Sequence, residues 1–290
     1  MYKILALASS LLIINPASYS QSTVQHRQIR TPDTPAQPVT AILGAFGDEI
    51  TLLLSHVENK KESTLEGIRF TEGTLQGRKV VVALTGIGKV NAAITTTLAL
   101  EHFHPSEVLF SGVAGGVDTS LSPGDLVIGT NVAYNDYGTL TPDSLELRPT
   151  RSPIDNQLNP LYFPCDSGLI ALALRAGKDL ALEKPGNRPG QSIPRIVSGT
   201  IVTGDVFVAS HIATQSLRRR MNAEATEMEG AAVAQTCWQQ RVPFLVIRSL
   251  SDDAGSKAYN DAVTFYQVAA RNSARLVMEI VRKLDAPQLH

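Results

Sequence analysis

The sequence predicts an α/β fold: a single-domain three-layer sandwich with a mixed central sheet. Apolar runs with the length of strands alternate along the chain with helix-like stretches, which is typical of helices packed on a sheet. The 290 residues are 43% hydrophobic and 18% charged, an ordinary globular composition. Because no shift in composition divides residues 39–290, one domain accounts for this region.

The first half of the domain is predicted to contain a strand, a helix, a hairpin, a long helix and two further strands. Gln76-Gly77 lies between two strand-like runs and indicates the hairpin turn. A glycine-rich run, 111–116, follows the penultimate strand. In chain order these elements are 39–45, the helix from Gly47, Ile68–Leu75 with Arg78–Leu84, 85–104, 107–110 and 125–134.

The second half begins with a Pro-rich stretch, 135–164, that is predicted to be a loop. An amphipathic helix, a Gly/Pro-rich loop and a strand follow, and one long helix ends the chain. Between them, two apolar runs read as buried strands with a helix in between. In chain order these elements are 166–183, 184–194, 195–203, 225–228, 231–239, 242–247 and 259–284.

The N-terminus has the pattern of an export signal. Lys3 precedes a short apolar run, 4–14, and the small residues Ser18 and Ser20 suit cleavage before Gln21. The run is shorter than the roughly 20 residues that span a bilayer. We expect residues 1–20 to be a signal peptide, 21–38 a flexible tether, and the protein to be exported, to a periplasm. An uncleaved anchor and a buried first helix are the alternatives.

Charge and composition exclude some partners. The net charge of −1 and pI near 6.6 give no electrostatic footprint for nucleic acid. The triplet Arg218-Arg219-Arg220 is interpreted as a solvated helix end. After signal cleavage no later stretch predicts a membrane partner.

Neither cysteines nor histidines predict a metal or disulfide site. Cys165 and Cys237 could pair in an oxidising compartment, but Cys237 lies on an apolar helix face, where a buried free thiol is expected. His102 and His104 are two residues apart and do not share a helix face. We expect no bridge and no metal.

Carboxylates stand at the ends of two apolar runs. Glu227 and Glu229 follow the first run, and Asp252 follows the second. In open α/β sheets, ligands bind beyond the carboxyl ends of strands. Two acids delivered there can hold a sugar and protonate a leaving group, so this region is predicted to be the functional site.

The run Gly86-x-Gly88-Lys89 superficially resembles a phosphate-binding loop. The full pattern needs glycine at Ala83 and Ser or Thr at Val90, so it fails at both positions. We therefore interpret Lys89 as a solvated residue at a helix start.

Taken in order, short motifs along the chain resemble the purine-nucleoside phosphorylase and uridine phosphorylase superfamily. Within it, the match is to the 5′-methylthioadenosine/S-adenosylhomocysteine nucleosidase family, and it covers about residues 40–285. The family implies a nucleoside phosphorylase-like fold and hydrolysis of the N-glycosidic bond of adenine nucleosides, without a metal or organic cofactor. The motifs are 44–49, 85–93, 111–116, 204–207, 227–229 and 248–252.

The resemblance implies a role for each matching residue. Asp252 would protonate or hydrogen-bond N7 of the departing adenine, and a desolvated pocket would help it to hold its proton. Glu49 and Arg248 would position the attacking water. Glu229 would grip the ribose hydroxyls, with Met228 against the sugar. The remaining substrate-binding residues are Phe207 and Val208 at the purine, with Glu227, Ser251, Val113, Ala114 and Gly115 around the ligand.

Each of these residues also has a plainer interpretation. Asp252 could be a helix N-cap, Glu49 a first-turn acid favoured by the helix dipole, and Arg248 the ion-pair partner of Glu49. Glu229 could be a carboxylate paired within the structure, and Met228 and Phe207 ordinary core residues.

The chain departs from the family in two respects. Val113 stands where the family usually has Ser or Thr, and export removes the enzyme from intracellular recycling. Purine nucleosides from the environment are therefore an alternative substrate class, and Val113 argues for a non-catalytic nucleoside-binding protein as an alternative function. A phosphate-dependent phosphorylase is a further alternative, although the Glu49 carboxylate would repel phosphate. By resemblance we also expect a homodimer, with the stretch 134–164 as the candidate region where a neighbouring subunit closes the 5′-substituent pocket.

Overall fold

The computed structural model describes residues 37–185, 193–255 and 258–284. Residues from Gln37 onward form one compact unit. The predicted signal peptide 1–20 and nearly all of the predicted tether 21–38 lie outside the described residues, as does most of the predicted loop 184–194.

The described residues form an α/β fold in which twelve strands and six helices alternate. The strands are β1 Val39–Gly44, β2 Glu58–Leu65, β3 Ile68–Leu75, β4 Arg78–Leu84, β5 Glu107–Gly116, β6 Leu126–Tyr134, β7 Gly138–Leu140, β8 Leu145–Leu147, β9 Phe163–Pro164, β10 Ile196–Thr203, β11 Ala223–Glu227 and β12 Phe244–Asp252. The helices are α1 Gly47–His56, α2 Lys89–Phe103, α3 Ser167–Gly177, α4 His211–Met221, α5 Gly230–Gln240 and α6 Ala258–Leu284.

The central sheet is mixed, in the order β11-β10-β6-β12-β5-β1-β4-β3-β2, with β9 beside β6. β1, β4, β5 and β12 are parallel to their neighbours in this group, whereas β6 is antiparallel to β12. β11 pairs with β10 and also, antiparallel, with β5. The strands from β5 through β12, β6 and β10 to β11 therefore close into a ring. The last residues of β5 lie between those of β11, which is antiparallel to it, and those of β12, which is parallel to it.

Helices cover the sheet on both faces and complete the three-layer sandwich. α6 packs on β5 and β12 and contacts α1 and α3, while α2 packs against α5. Apolar side chains of the central strands, such as Ile42, Leu109, Phe110 and Ile247, are fully buried beneath them. Burying such a side chain contributes about 1.5–3 kcal/mol to folding. Among the described helices, none combines the length and hydropathy needed to cross a membrane.

Most of the predicted elements are confirmed, and the mixed α/β fold with them. The hairpin of β3 and β4 has the predicted bounds, because Gln76 and Gly77 both have positive φ, at 52° and 88°, as a two-residue turn requires. Arg218-Arg219-Arg220 forms the last turn of α4, as expected, although Arg218 is also ion-paired with Asp118 and Glu224.

Several expectations were wrong. The strand predicted over 107–110 continues through the glycine-rich run to Gly116, and the strand predicted over 242–247 continues to Asp252. The helix predicted over 166–183 ends at Gly177, with Asp166 as its N-cap. The polar strand β2 was not predicted, and 135–164 contains the short strands β7, β8 and β9.

Candidate active site

A cavity of about 210 Å³ is lined by the last residues of β5, β11 and β12 and by the start of α1. We call it the acidic cavity. All but one of the predicted site residues line it: Glu49, Val113, Ala114, Gly115, Phe207, Val208, Glu227, Met228, Glu229, Ser251 and Asp252. The exception is Arg248, which is 1% exposed and lies behind the lining residues.

Glu49 is fixed at the start of α1. Its Oε2 accepts hydrogen bonds from the Phe46 amide, at 3.2 Å, and from the Ala45 amide, and its Oε1 accepts from the Val113 amide at 3.0 Å. Burial raises the pKa of Glu49. This effect is larger than the lowering of the pKa by the three amide hydrogen bonds and by the nearby positive charge of Arg248. Glu49 is therefore a first-turn acid of the helix, and it also faces the acidic cavity.

Arg248 is held by Glu227. Arg248 Nη2 lies 2.6 Å from Glu227 Oε2 and 3.9 Å from Glu229 Oε2, and its guanidinium carbon stands 4.1 Å from the centroid of the Phe110 ring. Within the described part of the chain, Arg248 is thus ion-paired closely with Glu227 and more distantly with Glu229, and Glu49 acts on it through charge alone. Arg248 Nε is buried without a hydrogen-bond partner among the described residues.

Both carboxylate oxygens of Glu227 accept hydrogen bonds from other groups of the protein. Oε2 accepts from the amides of Gly230, at 2.7 Å, and Glu229, at 3.2 Å, in addition to Arg248. Oε1 accepts from the Thr203 hydroxyl. The side chain lines the acidic cavity, but this geometry makes it a support for its neighbours.

Glu229 immediately precedes α5. Its Oε1 accepts the Gly88 amide at 2.8 Å, which leaves Oε2 facing Arg248 at 3.9 Å. Burial, and then the negative charge of Glu227, raise the pKa of Glu229 to about 8, against the lowering effect of Arg248. The Glu229 carboxyl therefore gives up its proton less readily than an exposed glutamate does.

Asp252 occupies the last position of β12, beside a break in strand register. Leu250 pairs with Ala114 and Asp252 with Gly115, so Ser251 is an extra residue on this strand. The Ser251 hydroxyl donates to Asp252 Oδ2 at 2.8 Å, and the Ala254 amide donates to Oδ1 at 2.7 Å. Asp252 is 2% exposed, so it lies in the desolvated position that its predicted role needs.

Gly112 allows the two charged groups to approach the strand. A Cβ atom at this position would meet Glu49 Oε1 and would stand 2.5 Å from Arg248 Nη1. This is the close approach for which a glycine inside a strand is suited.

The mouth of the acidic cavity is apolar and partly open. Phe207 is 50% exposed there, next to the exposed Val206 and Ile87. Phe46 forms part of the wall, and its ring stacks on Tyr266 with centroids 4.7 Å apart. Sequence reasoning did not assign Phe46, Ile87, Val206 or Thr226 to the site, although all of them lie within or beside the motifs.

Lys89 is not the solvated residue that was expected. Its Nζ lies 2.7 Å from Asp136 and 3.6 Å from Asp205, and its side chain is 23% exposed. The partners of the lysine are distant in sequence and could not be read from the glycine pattern before it.

Both cysteines are buried free thiols in the described structure. In the same residues, no group of three or more His, Cys, Asp or Glu side chains is arranged to hold a metal ion.

An α/β fold with an acidic cavity is the architecture of an enzyme that acts on a small molecule, and comparison with known proteins shows which family it belongs to. Residues 39–282 match the model of the phosphorylase superfamily. A 5′-methylthioadenosine/S-adenosylhomocysteine nucleosidase of Psychromonas ingrahamii is 38% identical over 245 residues, covering 84% of this chain and 98% of that protein. The chain therefore belongs to the 5′-methylthioadenosine/S-adenosylhomocysteine nucleosidase family of this superfamily.

Solved structures agree with this assignment. The nucleosidase of Neisseria meningitidis in complex with methylthio-immucillin-A has a TM-score of 0.72 and 37% identity, covering 84% of this chain and 99% of that one. Futalosine hydrolase of Helicobacter pylori also has a TM-score of 0.72, with 30% identity, covering 85% of this chain and 98% of that one.

Proposed function

We propose that this protein hydrolyses the N-glycosidic bond of adenine nucleosides such as 5′-methylthioadenosine or S-adenosylhomocysteine, with water as the nucleophile. One observation carries the proposal: Glu49, Glu229 and Asp252 all line the same buried cavity of a chain that belongs to the nucleosidase family. Hydrolysis of a glycosidic bond needs carboxyl groups with separate roles, and this cavity provides them.

The three acids divide the work. Asp252 assists departure of the base by donating to N7, while Phe207 and the Val208 backbone hold the purine at the mouth. Glu229 accepts hydrogen bonds from the ribose hydroxyls, with Met228 beside the sugar. Glu49 orients the attacking water, and Arg248 contributes positive charge from behind the cavity lining.

The charge of the site favours water over phosphate. Glu49, Glu227, Glu229 and Asp252 line the acidic cavity, and the guanidinium of Arg248 behind them is already paired with Glu227. An incoming phosphate dianion would meet four acidic side chains and no cationic side chain among the described lining residues. Phosphorolysis therefore lacks the electrostatic support that it requires.

The deciding experiment is a product analysis. The protein is incubated with methylthioadenosine, adenosylhomocysteine, adenosine, inosine and futalosine, with and without phosphate, and the sugar product is identified. Free base and free sugar in the absence of phosphate support hydrolysis, and the order of rates names the substrate. Sugar 1-phosphate formed only with phosphate contradicts the proposal, and binding without turnover favours a nucleoside-binding protein.

The apolar surface around the mouth supports a homodimer. Val90 and Ile94 are 70% and 48% exposed on one face of α2, and Ile87 and Phe207 extend the patch to the acidic cavity. Exposed large apolar side chains grouped near a cavity mouth are typical of an interface. A second copy would cover it and close the mouth over the 5′-substituent.

The dimer is tested by light scattering on Val90→Asp. We expect the wild type to have twice the mass of the chain and the variant to be monomeric with weakened substrate binding. Leu174→Asp is the matched control, since Leu174 is also exposed but lies on α3, which packs against α6 and lies outside both the apolar patch and the stretch 134–164. A monomeric wild type would contradict the proposal.

Export is the second part of the proposed role. The signal-like residues 1–20 support delivery to a periplasm, where the enzyme would act in salvage of purine nucleosides from outside the cytoplasm. Fractionation of expressing cells, with N-terminal sequencing of the recovered protein, tests this. A mature N-terminus at Gln21 outside the cytoplasm supports export, and full-length protein in the cytoplasm contradicts it.

A further inference from the structure

Lys89 joins three chain segments at the rim of the acidic cavity. Its Nζ lies 2.7 Å from both Asp136 Oδ1 and Oδ2, and 3.6 Å from Asp205 Oδ2. Its amide donates to Asp205 Oδ1 at 2.9 Å, and the Asp205 amide donates to Asp136 Oδ2 at 2.8 Å. The start of α2, the residues after β6 and the residues after β10 are thus tied together by one side chain.

Residues 204–208, which we call the purine loop, depend on this tie. Val206 and Phe207 are 67% and 50% exposed, so little protein packs around them. Asp205 stands directly before them and is anchored through both its amide and its carboxylate. The Gly204 amide also donates to the Glu227 carbonyl at 3.1 Å, and Val208 packs against a small buried cluster. Asp205 is thus the polar anchor of the purine loop on the side before Phe207.

The same segment also reaches the ribose side of the acidic cavity. Gly88, the residue before Lys89, donates its amide to Glu229 Oε1 at 2.8 Å. Gly88 has a φ of 98°, a conformation that side-chain-bearing residues rarely adopt. Because Gly88 and Lys89 are adjacent, a shift of Lys89 would move this amide relative to Glu229.

We propose that Lys89 is a positioning residue that holds the purine loop and the amide partner of Glu229 in one fixed geometry, and so sets the affinity for the nucleoside. The names of the two subsites rest on the proposed function. Lys89 does not line the acidic cavity, so it acts through Asp205 and Gly88.

The ion pair is placed where it can have this effect. The side chains of Lys89 and Asp136 are 23% and 25% exposed, so the pair is screened less than a pair on the open surface. Lys89 Nζ also stands 5.5 Å from the centroid of the Tyr134 ring, which fixes its direction further. A purely structural ion pair would affect stability alone, whereas a positioning residue affects ligand affinity.

The test compares Lys89→Met, Lys89→Arg and Asp136→Asn with the wild type. Calorimetry measures the dissociation constant of adenine, and steady-state kinetics measure KM and kcat for methylthioadenosine. Lys89→Met keeps the aliphatic length and removes the charge. Lys61→Met is the matched control, because Lys61 pairs with Glu72 at 3.9 Å on the exposed hairpin and its side chain is 78% exposed.

We expect Lys89→Met and Asp136→Asn to raise the adenine dissociation constant and KM by about tenfold, since small displacements of binding groups have effects of this size or larger. kcat should change by less than about threefold, because the acids that touch the reacting atoms are unchanged. Lys89→Arg should restore most of the affinity, and Lys61→Met should behave as the wild type does.

Two results would overturn the proposal. The first is an adenine affinity and KM within twofold of the wild type in both charge-removing variants, with a lower melting temperature as the sole change. The second is an equal loss in Lys61→Met. If Lys89→Met does not fold, Asp136→Asn decides the question. A wild type that binds adenine without turnover would refute the proposed hydrolysis, and the adenine measurement would still decide the role of Lys89.

Discussion

Arg248 and Glu227 form a buried ion pair beneath the acidic cavity, with Nη2 and Oε2 2.6 Å apart and side chains 1% and 3% exposed. Around it stand Glu49 and Glu229, so three carboxyl groups surround one guanidinium. Among the described residues, acidic side chains around this guanidinium therefore outnumber basic ones, and burial raises the pKa of Glu49 and Glu229.

Glu227→Gln should destabilise the fold strongly. Removing one partner of a buried pair leaves the other charge uncompensated, and we expect a loss of about 3 kcal/mol in the free energy of unfolding. Urea denaturation measures it. Glu62→Gln is the control, because Glu62 pairs with Arg69 at 3.9 Å and both side chains are more than half exposed. Equal stability of both variants would contradict the structural role of Glu227.

The raised pKa of Glu229 should make stability depend on pH. The folded protein binds this proton more tightly than the unfolded chain, so its stabilising contribution is present below 4.5, the ordinary glutamate value, and is lost as pH rises through about 8. The melting temperature of the wild type should therefore fall between pH 5 and 8 relative to that of Glu229→Gln. A constant difference between the two proteins over this range would contradict the prediction.

Asp252→Asn should separate binding from turnover. The amide keeps the size of the carboxyl but cannot supply its proton, and we expect kcat to fall at least about 100-fold. The Asp252→Asn variant should still bind the nucleoside, which calorimetry measures. Asp253→Asn is the neighbouring control, since Asp253 is exposed and accepts the Gly255 amide at 2.9 Å. Comparable loss of kcat in the control would refute the assignment.

Gly112→Ala should abolish activity. The added Cβ would press against Glu49 Oε1 and Arg248 Nη1, so the two groups would have to separate. Nucleoside turnover is the measurement, with circular dichroism to verify folding. Gly47→Ala provides the comparison, because a Cβ at Gly47 would meet no atom within 4 Å. An active Gly112→Ala variant would show that the closeness of Glu49 and Arg248 is dispensable.

Val113→Ser should increase turnover. The Val113 side chain lines the acidic cavity and its amide holds Glu49, so a hydroxyl there would lie near the proposed water. One neutral hydrogen bond contributes about 1 kcal/mol, which corresponds to about a fivefold increase in kcat. Val113→Ala separates the hydroxyl from the change in volume. No increase with serine, or an equal increase with alanine, would contradict the argument.

The sequence predicts those parts of this fold that have a local cause. β1 and β12 begin as apolar runs, and the hairpin of β3 and β4 has a two-residue turn that only certain residues form readily. The strand β2 was not predicted because its residues are polar and largely exposed, as is typical of an edge strand. Nothing in its own composition indicates that β3 lies beside it.

In the candidate site, too, local sequence features are predictable and contacts between distant segments are not. Carboxylates at strand ends predict where a ligand binds, and the family motifs predict which residues gather there. The partners of Lys89 were missed because Asp136 and Asp205 are 47 and 116 residues away along the chain. Glu227 is 21 residues from Arg248 and was missed because its sequence does not show that β11 lies beside β5. Glu49 was expected to pair with Arg248, yet the nearer carboxylate comes from β11, whose contact with β5 closes the ring.

The extra residue Ser251 means that the side chains of Ser251 and Asp252 could not be placed in the same way on a regular β-strand. On a regular strand, successive side chains point to opposite faces, so a serine and an aspartate in sequence could not both reach one pocket. Here the irregular step between Leu250 and Asp252 lets both line the acidic cavity and bond to each other. A designer who copied these side chains onto an ideal sheet would lose one of them. The proposed roles of Asp252 and Ser251 in the acidic cavity therefore depend on this backbone irregularity as well as on the side chains.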